Sequence, residues 1–325
     1  FAGPRAVCYE GAHRRTYLGW VSRTGDVCVA SVDARSGEVE TSIVGRVGWP
    51  NDHSSPSILV GDGGHIIVFY AGHAGRTMRY RCSLAPEDIS EWNEERVIET
   101  NTTGFGGYSY PSPVLLTDDP ERYFLFWRGG DFKPCFSTSS DASSWSVAKP
   151  LLRFEGTRRR PRPYVRIDSD GRETIHIAFT NGHPEEEPFN SVYYVRYRRA
   201  RFTRADGSAI GSLESAALDL TSCDLVYDAR TGGAQSWIWD IAHDDEGSPV
   251  IVYATFPRVG EHQYWHAQWN GSEWDTRHIT SAGGYFPRAG EGDSRFEPCY
   301  SGGLALDRTD PRVVYLSRPV EGVFE

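Results

Sequence analysis

The feature that most limits what this chain can become is a repeated pair of apolar runs. Each copy is an apolar run, an Asp/Gly turn, and a second apolar run ending in Gly, His, Asn or Arg. The copies are Arg5 to Ser22, Ser55 to His73, Ser112 to Arg128, Pro163 to His183, Trp239 to Phe256 and Gly303 to Arg318. Runs of this length joined by tight turns are antiparallel hairpins, and an isolated hairpin cannot bury its apolar face. Stacking successive copies solves that problem. Their starts lie roughly 50 to 75 residues apart, the spacing of a four-stranded propeller blade with loop insertions. No segment has helical periodicity, which excludes helical solenoids. The pattern predicts an all-β chain, a β-propeller of four-stranded blades. Five full blades and a half are visible, because the sixth copy stops after its second strand at Phe324-Glu325.

A second mark falls late in three of the copies: Asp88-Ile-Ser-Glu-Trp92, Asp141-Ala-Ser-Ser-Trp145 and Asn270-Gly-Ser-Glu-Trp274, all [Asp/Asn]-x-Ser-x-Trp. An Asp or Asn side chain closes a turn onto nearby backbone N–H groups, and the Trp packs between sheets. The expected role is structural, in turns between outer strands.

Composition agrees with many short strands. Ten Trp and seventeen Tyr stand against one Met, and aromatic side chains suit a pleated, half-buried surface. One domain over 1–325 is expected, truncated at its C-terminal end. No stretch reaches the roughly 20 apolar residues that span a bilayer, and the first residues lack the charged-then-apolar order of a signal peptide. The formal charge of −10 argues against nucleic-acid or membrane partners, yet Arg158, Arg159, Arg160, Arg162 and Arg166 crowd one stretch, which suits an anionic ligand. The six cysteines, Cys8, Cys28, Cys82, Cys135, Cys223 and Cys299, never form C-x-x-C and read as mostly buried thiols. No cofactor is required by the pattern. A structural zinc or calcium ion is the alternative, with zinc held by some of Cys223, His262, His266 and His278.

In a blade the first strand starts, and the second ends, at the same face. That rule gathers the unusual residues. His53 precedes the first strand of the second copy and His73 ends its second strand; Tyr108 and Tyr110 open the third copy and Arg128 closes its second strand. Tyr164 opens the fourth, whose second strand ends in Asn181 and His183; Trp237 and Trp239 open the fifth. His65, His176 and His243 lie in turns or inside strands and are set aside as exposed or merely hydrogen-bonded. Absent are a G-x-S-x-G elbow, a phosphate-binding glycine loop and an H-E-x-x-H zinc motif. Asp52, Asp131 and Asp240 leave open a paired-carboxylate glycosidase, and rim tryptophans leave open a non-catalytic sugar-binding propeller.

Four segments carry a family resemblance: Asn51-Asp-His-Ser-Ser-Pro-Ser-Ile, Tyr-Ala-Gly-His73, Gly107-Tyr-Ser-Tyr-Pro-Ser-Pro-Val and Glu297-Pro-Cys-Tyr-Ser-Gly-Gly-Leu. Together with the Asp/Asn turns, which resemble a degenerate Asp-box, they look like the BNR-4 propellers that include ulvan lyases. The resemblance implies seven blades and a polysaccharide lyase that cleaves beside a uronic acid in an anionic, sulfated polymer by β-elimination. It implies catalytic roles for His53, His73, Tyr110, Tyr164 and Arg128. Apart from the resemblance, substrate binding is expected from the face residues Asn181, His183 and Trp239 and from the cations Arg160, Arg166 and Lys133. A sialidase-like or rhamnosidase-like hydrolase on the same scaffold is the alternative. An enzyme of this kind is expected as a secreted or periplasmic monomer.

Overall fold

The computed structural model describes residues 1–73, 75–100, 106–153, 161–214, 217–258, 260–283, 302–320 and 323–324. They form two compact units, Phe1–Leu152 and Arg153–Glu325.

The first unit holds three four-stranded antiparallel sheets, each a meander in chain order. The first sheet is Ala6–Glu10, Arg14–Val21, Asp26–Asp33 and Val39–Arg46; the second is Ser57–Val60, Ile66–Tyr70, Met78–Cys82 and Arg96–Ile98. The third is Ser109–Leu115, Tyr123–Arg128, Pro134–Ser139 and Lys149–Pro150. The second strands Ile66–Tyr70 and Tyr123–Arg128 are buried at every residue, which explains why they read as unbroken apolar runs. Two cores lie between the sheets. Tyr17, Val27 and Val29 of the first pack on Ile58, Ile66 and Val68 of the second. Phe69, Met78 and Tyr80 of the second pack with Leu125, Trp127 and Cys135 of the third.

The second unit contains a sheet of six strands and one of four. In the six-stranded sheet, Val165–Ser169, Thr174–Thr180 and Val192–Arg198 are followed by the hairpin Arg201–Thr203 and Ala209–Ser212. The strand Asp224–Tyr227 shares the outer edge of Val192–Arg198 with that hairpin, pairing at Val192–Tyr194 while Arg201–Thr203 pairs at Arg196–Arg198. Four strands per blade were expected here; the extra hairpin is an insertion on the outer edge, where it disturbs no inner pairing. The four-stranded sheet is Gln235–His243, Pro249–Arg258, Glu261–Trp269 and Trp274–Gly283, and the hairpin Gly303–Leu306 with Val314–Ser317 follows.

The three Asp/Asn turns fall between third and fourth strands. Asp141 Oδ1 accepts from the N–H groups of Ser143 and Ser144, and those bonds hold its carboxyl below the usual range. Asn270 Oδ1 likewise accepts from Ser272 and Glu273, and Asp88 Oδ1 from Ser90. Each Trp reaches the preceding sheet. Trp92 donates through Nε1 to Ser42 Oγ at 2.9 Å, Trp145 meets the ring of Phe69 edge-on at 5.5 Å, and Trp274 meets Tyr194 edge-on at 5.2 Å.

Within the second unit an ionic clasp joins the inner strands. His243 Nδ1 lies 2.6 Å from Asp168 Oδ2, and Arg308 spans Asp168 Oδ1 at 3.3 Å and Asp240 Oδ1 at 2.8 Å. The N–H of Leu306 donates to the other Asp240 oxygen at 3.0 Å. The hydrogen bond that His243 donates to the Asp168 carboxylate raises the His243 pKa. Stacked on His243 at 5.2 Å is His176, whose Nδ1 meets the Tyr194 hydroxyl at 2.7 Å. Burial, with His243 nearby, pushes the His176 pKa down to about 3.

Cys28, Cys135 and Cys223 are buried free thiols, Cys82 is half-buried and Cys8 is exposed. It lies on an edge strand with alternating exposure.

Candidate active site

The segment 49–54 leads into the strand Ser57–Val60 and carries the first histidine. Asn51 Oδ1 accepts from the His53 N–H at 2.8 Å, and the carbonyl of Asn51 accepts from the Ser54 N–H at 3.1 Å. The Ser54 hydroxyl donates to the Trp49 carbonyl at 3.3 Å and accepts from the His73 N–H at 3.2 Å. One serine thus ties the start of the first strand to the end of the second, as the blade rule requires. The rings of His53 and His73 stack at 4.1 Å and 17°. Each has its own partner: His53 Nδ1 lies 2.6 Å from Asp52 Oδ1, and His73 Nδ1 lies 2.6 Å from Asn51 Nδ2.

The adjacent strand brings Tyr110 onto this pair, its ring 5.3 Å from that of His53. A register shift aims it. Phe126 pairs with Ser112 and Arg128 with Ser109, so Tyr110 and Pro111 together oppose Trp127 alone, a β-bulge. Tyr110 has φ of +61°, a left-handed conformation that costs a non-glycine residue about 1–3 kcal/mol and persists where the surroundings enforce it. Strand opening was expected at Ser112; pairing begins earlier, at Ser109, and the bulge is what turns Tyr110 outward.

Arg128 ends the neighbouring strand and is 5 % exposed. Its guanidinium lies 4.7 Å from the Tyr110 ring centroid and 5.0 Å from that of Phe132, and Nε donates to the Gly107 carbonyl at 3.1 Å. Such a guanidinium is held by cation–π attraction to two rings. Gly107 is required here: with φ of +153°, a Cβ would stand 2.9 Å from the Gly129 carbonyl oxygen and 3.0 Å from the Phe132 nitrogen. Asp131 and Phe132 are both left-handed, at φ +54° and +61°, in the turn that presents Phe132 to Arg128. Burial lowers the pKa of Lys133 just beyond, with Asp131 opposing that shift.

The remaining expected site residues belong to the second unit. Tyr164, His183 and Trp237 form a buried aromatic trio, with Tyr164 4.6 Å from Trp237 and His183 4.9 Å from Trp237. His183 Nδ1 accepts from the Glu185 N–H, and Asn181 Oδ1 accepts from the Ser191 N–H at 2.6 Å, so both brace the turn between strands. Arg162 forks onto Glu186 across the same turn, with Nε 3.0 Å from Oε2. Trp239 is the extra residue of a bulge and is half-buried, with Gly303 against its ring. Arg166 lies in the strand Val165–Ser169, opposite Ala178. Arg158, Arg159 and Arg160 lie outside the described residues, as do Glu297, Cys299 and Tyr300.

The alternatives fare less well. Asp240 is committed to Arg308 and Leu306, and Asp52 to His53, so neither stands ready as half of a carboxylate pair. His262 packs on Phe256, His278 on Trp265, and His266 Nε2 faces the Pro311 carbonyl. Among the described residues no three metal-ligating side chains converge. Three contributors escaped the sequence reading: Asn51 and Phe132, which hold His73 and Arg128, and Trp49, whose side chain is 75 % exposed. The adjacency of Trp49 and Asn51 to His53 was the available signal.

Comparison with known proteins gives consistent results. An ulvan lyase from Pseudoalteromonas sp. (strain PLSV) is 21 % identical over 81 % of this chain, and an ulvan lyase from Alteromonas sp. (strain LOR) is 21 % identical over 69 %. The chain spans 62 % and 52 % of the length of these two relatives. Among solved structures, an ulvan lyase bound to -[GlcA(1-4)Rha3S]- superposes with a TM-score of 0.70 at 16 % identity, covering 98 % of this chain and 77 % of that one. A further polysaccharide lyase superposes at 0.64 with 14 % identity, covering 99 % of this chain and 78 % of that one. These likenesses establish the all-β propeller fold. The family model described as BNR repeat-containing family member matches residues 15–282, and the chain belongs to that family.

Proposed function

We propose that this chain is a polysaccharide lyase that cleaves a uronic-acid-containing anionic polysaccharide of the ulvan kind by β-elimination, leaving an unsaturated uronate end. One observation carries the reading: in the first unit a buried guanidinium, a stacked histidine pair and a bulge-presented tyrosine meet in one cluster. The kinship with ulvan lyases supports it.

Elimination from a uronate needs three things. The C6 carboxylate must be neutralised so that the C5 proton becomes acidic, that proton must be removed, and the departing O4 must be protonated. Arg128 supplies a planar donor for the carboxylate and one histidine of the pair a second, and both stabilise the enolate-like intermediate through charge-assisted hydrogen bonds. The other histidine takes the C5 proton. The electron pair of the C5–H bond becomes the C4=C5 double bond as the C4–O4 bond breaks, and O4 takes the hydroxyl proton of Tyr110. Proton return from the imidazolium to the phenolate restores the starting state. Lys133 and Arg166 would bind further carboxylates or sulfates. A polymer of this size is met outside the cytoplasm, so we assign the protein to the cell exterior or the periplasm.

The test is a panel of uronate polymers, including ulvan, read for ultraviolet absorbance of the unsaturated product and for reducing ends. Both signals rising together are expected. Reducing ends without absorbance would mean hydrolysis, and affinity without either signal would mean a binding module. Tyr110→Phe and Tyr164→Phe in the same assay say which phenol supplies the proton.

A further inference from the structure

Resting on that reading, we infer that Asn51 and Asp52 are positioning residues that lock the two stacked histidines into opposite tautomers, so that His53 presents a proton acceptor and His73 a proton donor. Proximity alone leaves the roles of the pair undivided; the neighbouring side chains divide them.

The Asn51 amide is oriented by the backbone. A backbone N–H can only donate, so the atom of Asn51 that receives the His53 N–H at 2.8 Å is the oxygen. The other end of the amide, 2.6 Å from His73 Nδ1, is therefore the NH2 group, which has only hydrogens to give. Nδ1 of His73 must accept, and in the neutral ring the proton sits on Nε2. Asp52 imposes the reverse. Its ionised carboxylate only accepts, so His53 Nδ1, at 2.6 Å, carries a proton and the neutral ring has its lone pair on Nε2.

The two rings lie nearly parallel at 4.1 Å, so a positive charge on one disfavours a charge on the other. A cation formed at His53 during proton abstraction is the one that Asp52 is placed to stabilise. The Asn51 amide presents only a donor to His73 Nδ1, which penalises a second proton there. In the elimination, the C5–H bond breaks with its electron pair left on carbon and a new N–H bond forms at His53 Nε2. Meanwhile His73 Nε2–H, together with the Arg128 guanidinium, donates to the uronate carboxylate. The consecutive residues Asn51-Asp52-His53 thus encode the division of labour, with His73 supplied by the end of the next strand.

The direct test is the ring-nitrogen chemical shifts of the 15N-histidine protein without substrate, above the pH at which either ring is charged, with His53→Gln and His73→Gln used for assignment. His53 should read as the Nδ1–H tautomer and His73 as Nε2–H; one common tautomer for both overturns the inference. Asn51→Asp keeps the oxygen that holds the His53 N–H but turns the His73 side from donor to acceptor, so His73 should switch to Nδ1–H, and no switch overturns it as well. Kinetically, Asp52→Asn should lower kcat by roughly 10²–10⁴-fold with KM within about two-fold, as expected when a base is left in the wrong tautomer. A loss confined to KM would count against it. If no uronate polymer is cleaved at all, the lyase reading fails while the shifts still decide the tautomers.

Discussion

Acid sensitivity of the second unit can be worked out from His176. Its ring is 1 % exposed, and burial pushes its pKa from the ordinary 6.5 to about 3. Between those values the unfolded chain binds a proton at this residue and the folded chain does not, so stability must fall as pH drops below 6.5. At about pH 5, roughly 1.5 units below the ordinary value, the loss is about 2 kcal/mol at about 1.4 kcal/mol per unit. His243 works in the opposite sense: its raised pKa gives a contribution fully present below 6.5 and lost as pH rises through the folded value. Together they place a stability maximum near neutrality. The perturbation is His176→Asn, which keeps a hydrogen-bonding atom near the Nδ1 position that meets the Tyr194 hydroxyl. Urea unfolding of the parent and variant at about pH 6.5 and pH 5 gives four free energies, and only the difference of differences matters, because other titrations cancel. The parent should lose about 1.6 kcal/mol more than the variant over that interval, since the unfolded ring is already half protonated at about pH 6.5. Equal losses would refute the reasoning whatever the variant's absolute stability.

Arg308→Met should cost about 2–4 kcal/mol in urea denaturation, since it leaves the nearly buried Asp168 and Asp240 without their shared cation, whereas Arg312→Met at the exposed Asp310 pair should leave the unfolding midpoint essentially unchanged. Trp145→Ala should destabilise by about 2–4 kcal/mol, measured the same way, because the half-buried indole leaves a gap against Phe69 and Tyr80. Tyr110→Phe, which keeps the stacking on His53 and Arg128, should lower kcat on a uronate polymer about 10²-fold or more with little change in KM. Trp49→Ala should raise KM several-fold with kcat preserved, because an exposed indole four residues from His53 suits stacking on a sugar ring, worth about 1 kcal/mol or more.

The pairing of His53 with His73 was legible because it follows from strand alternation alone: one residue precedes a first strand, the other follows a second. The three Asp/Asn turns were legible for a similar reason, since their chemistry is complete within four or five residues. Tyr110 was harder. A left-handed residue normally announces itself as Gly or Asn, and here the bulge is enforced by a register shift between two strands that no local pattern encodes. The clasp of Asp168, His243, Asp240 and Arg308 joins residues up to 140 positions apart, so nothing in the neighbourhood of His243 distinguished it from a solvated histidine. His176 was set aside for the same reason and proves to be the most deeply buried titratable ring of that group. The extra hairpin in the six-stranded sheet went unnoticed because an edge insertion leaves the inner apolar runs intact.

The turn tryptophans have a consequence for how the chain assembles as it is made. Each described indole reaches backward, from a newly completed sheet to the one before it: Trp92 to Ser42, Trp145 to Phe69, Trp274 to Tyr194. During synthesis the face of the first sheet is covered by Ile58, Ile66 and Val68 and closed by Trp92, and that of the second is covered by Leu125, Trp127 and Cys135 and closed by Trp145. A nascent chain built this way grows from its N-terminal end in discrete, self-protecting steps. Pausing should be tolerated after each of these tryptophans and harmful just before it.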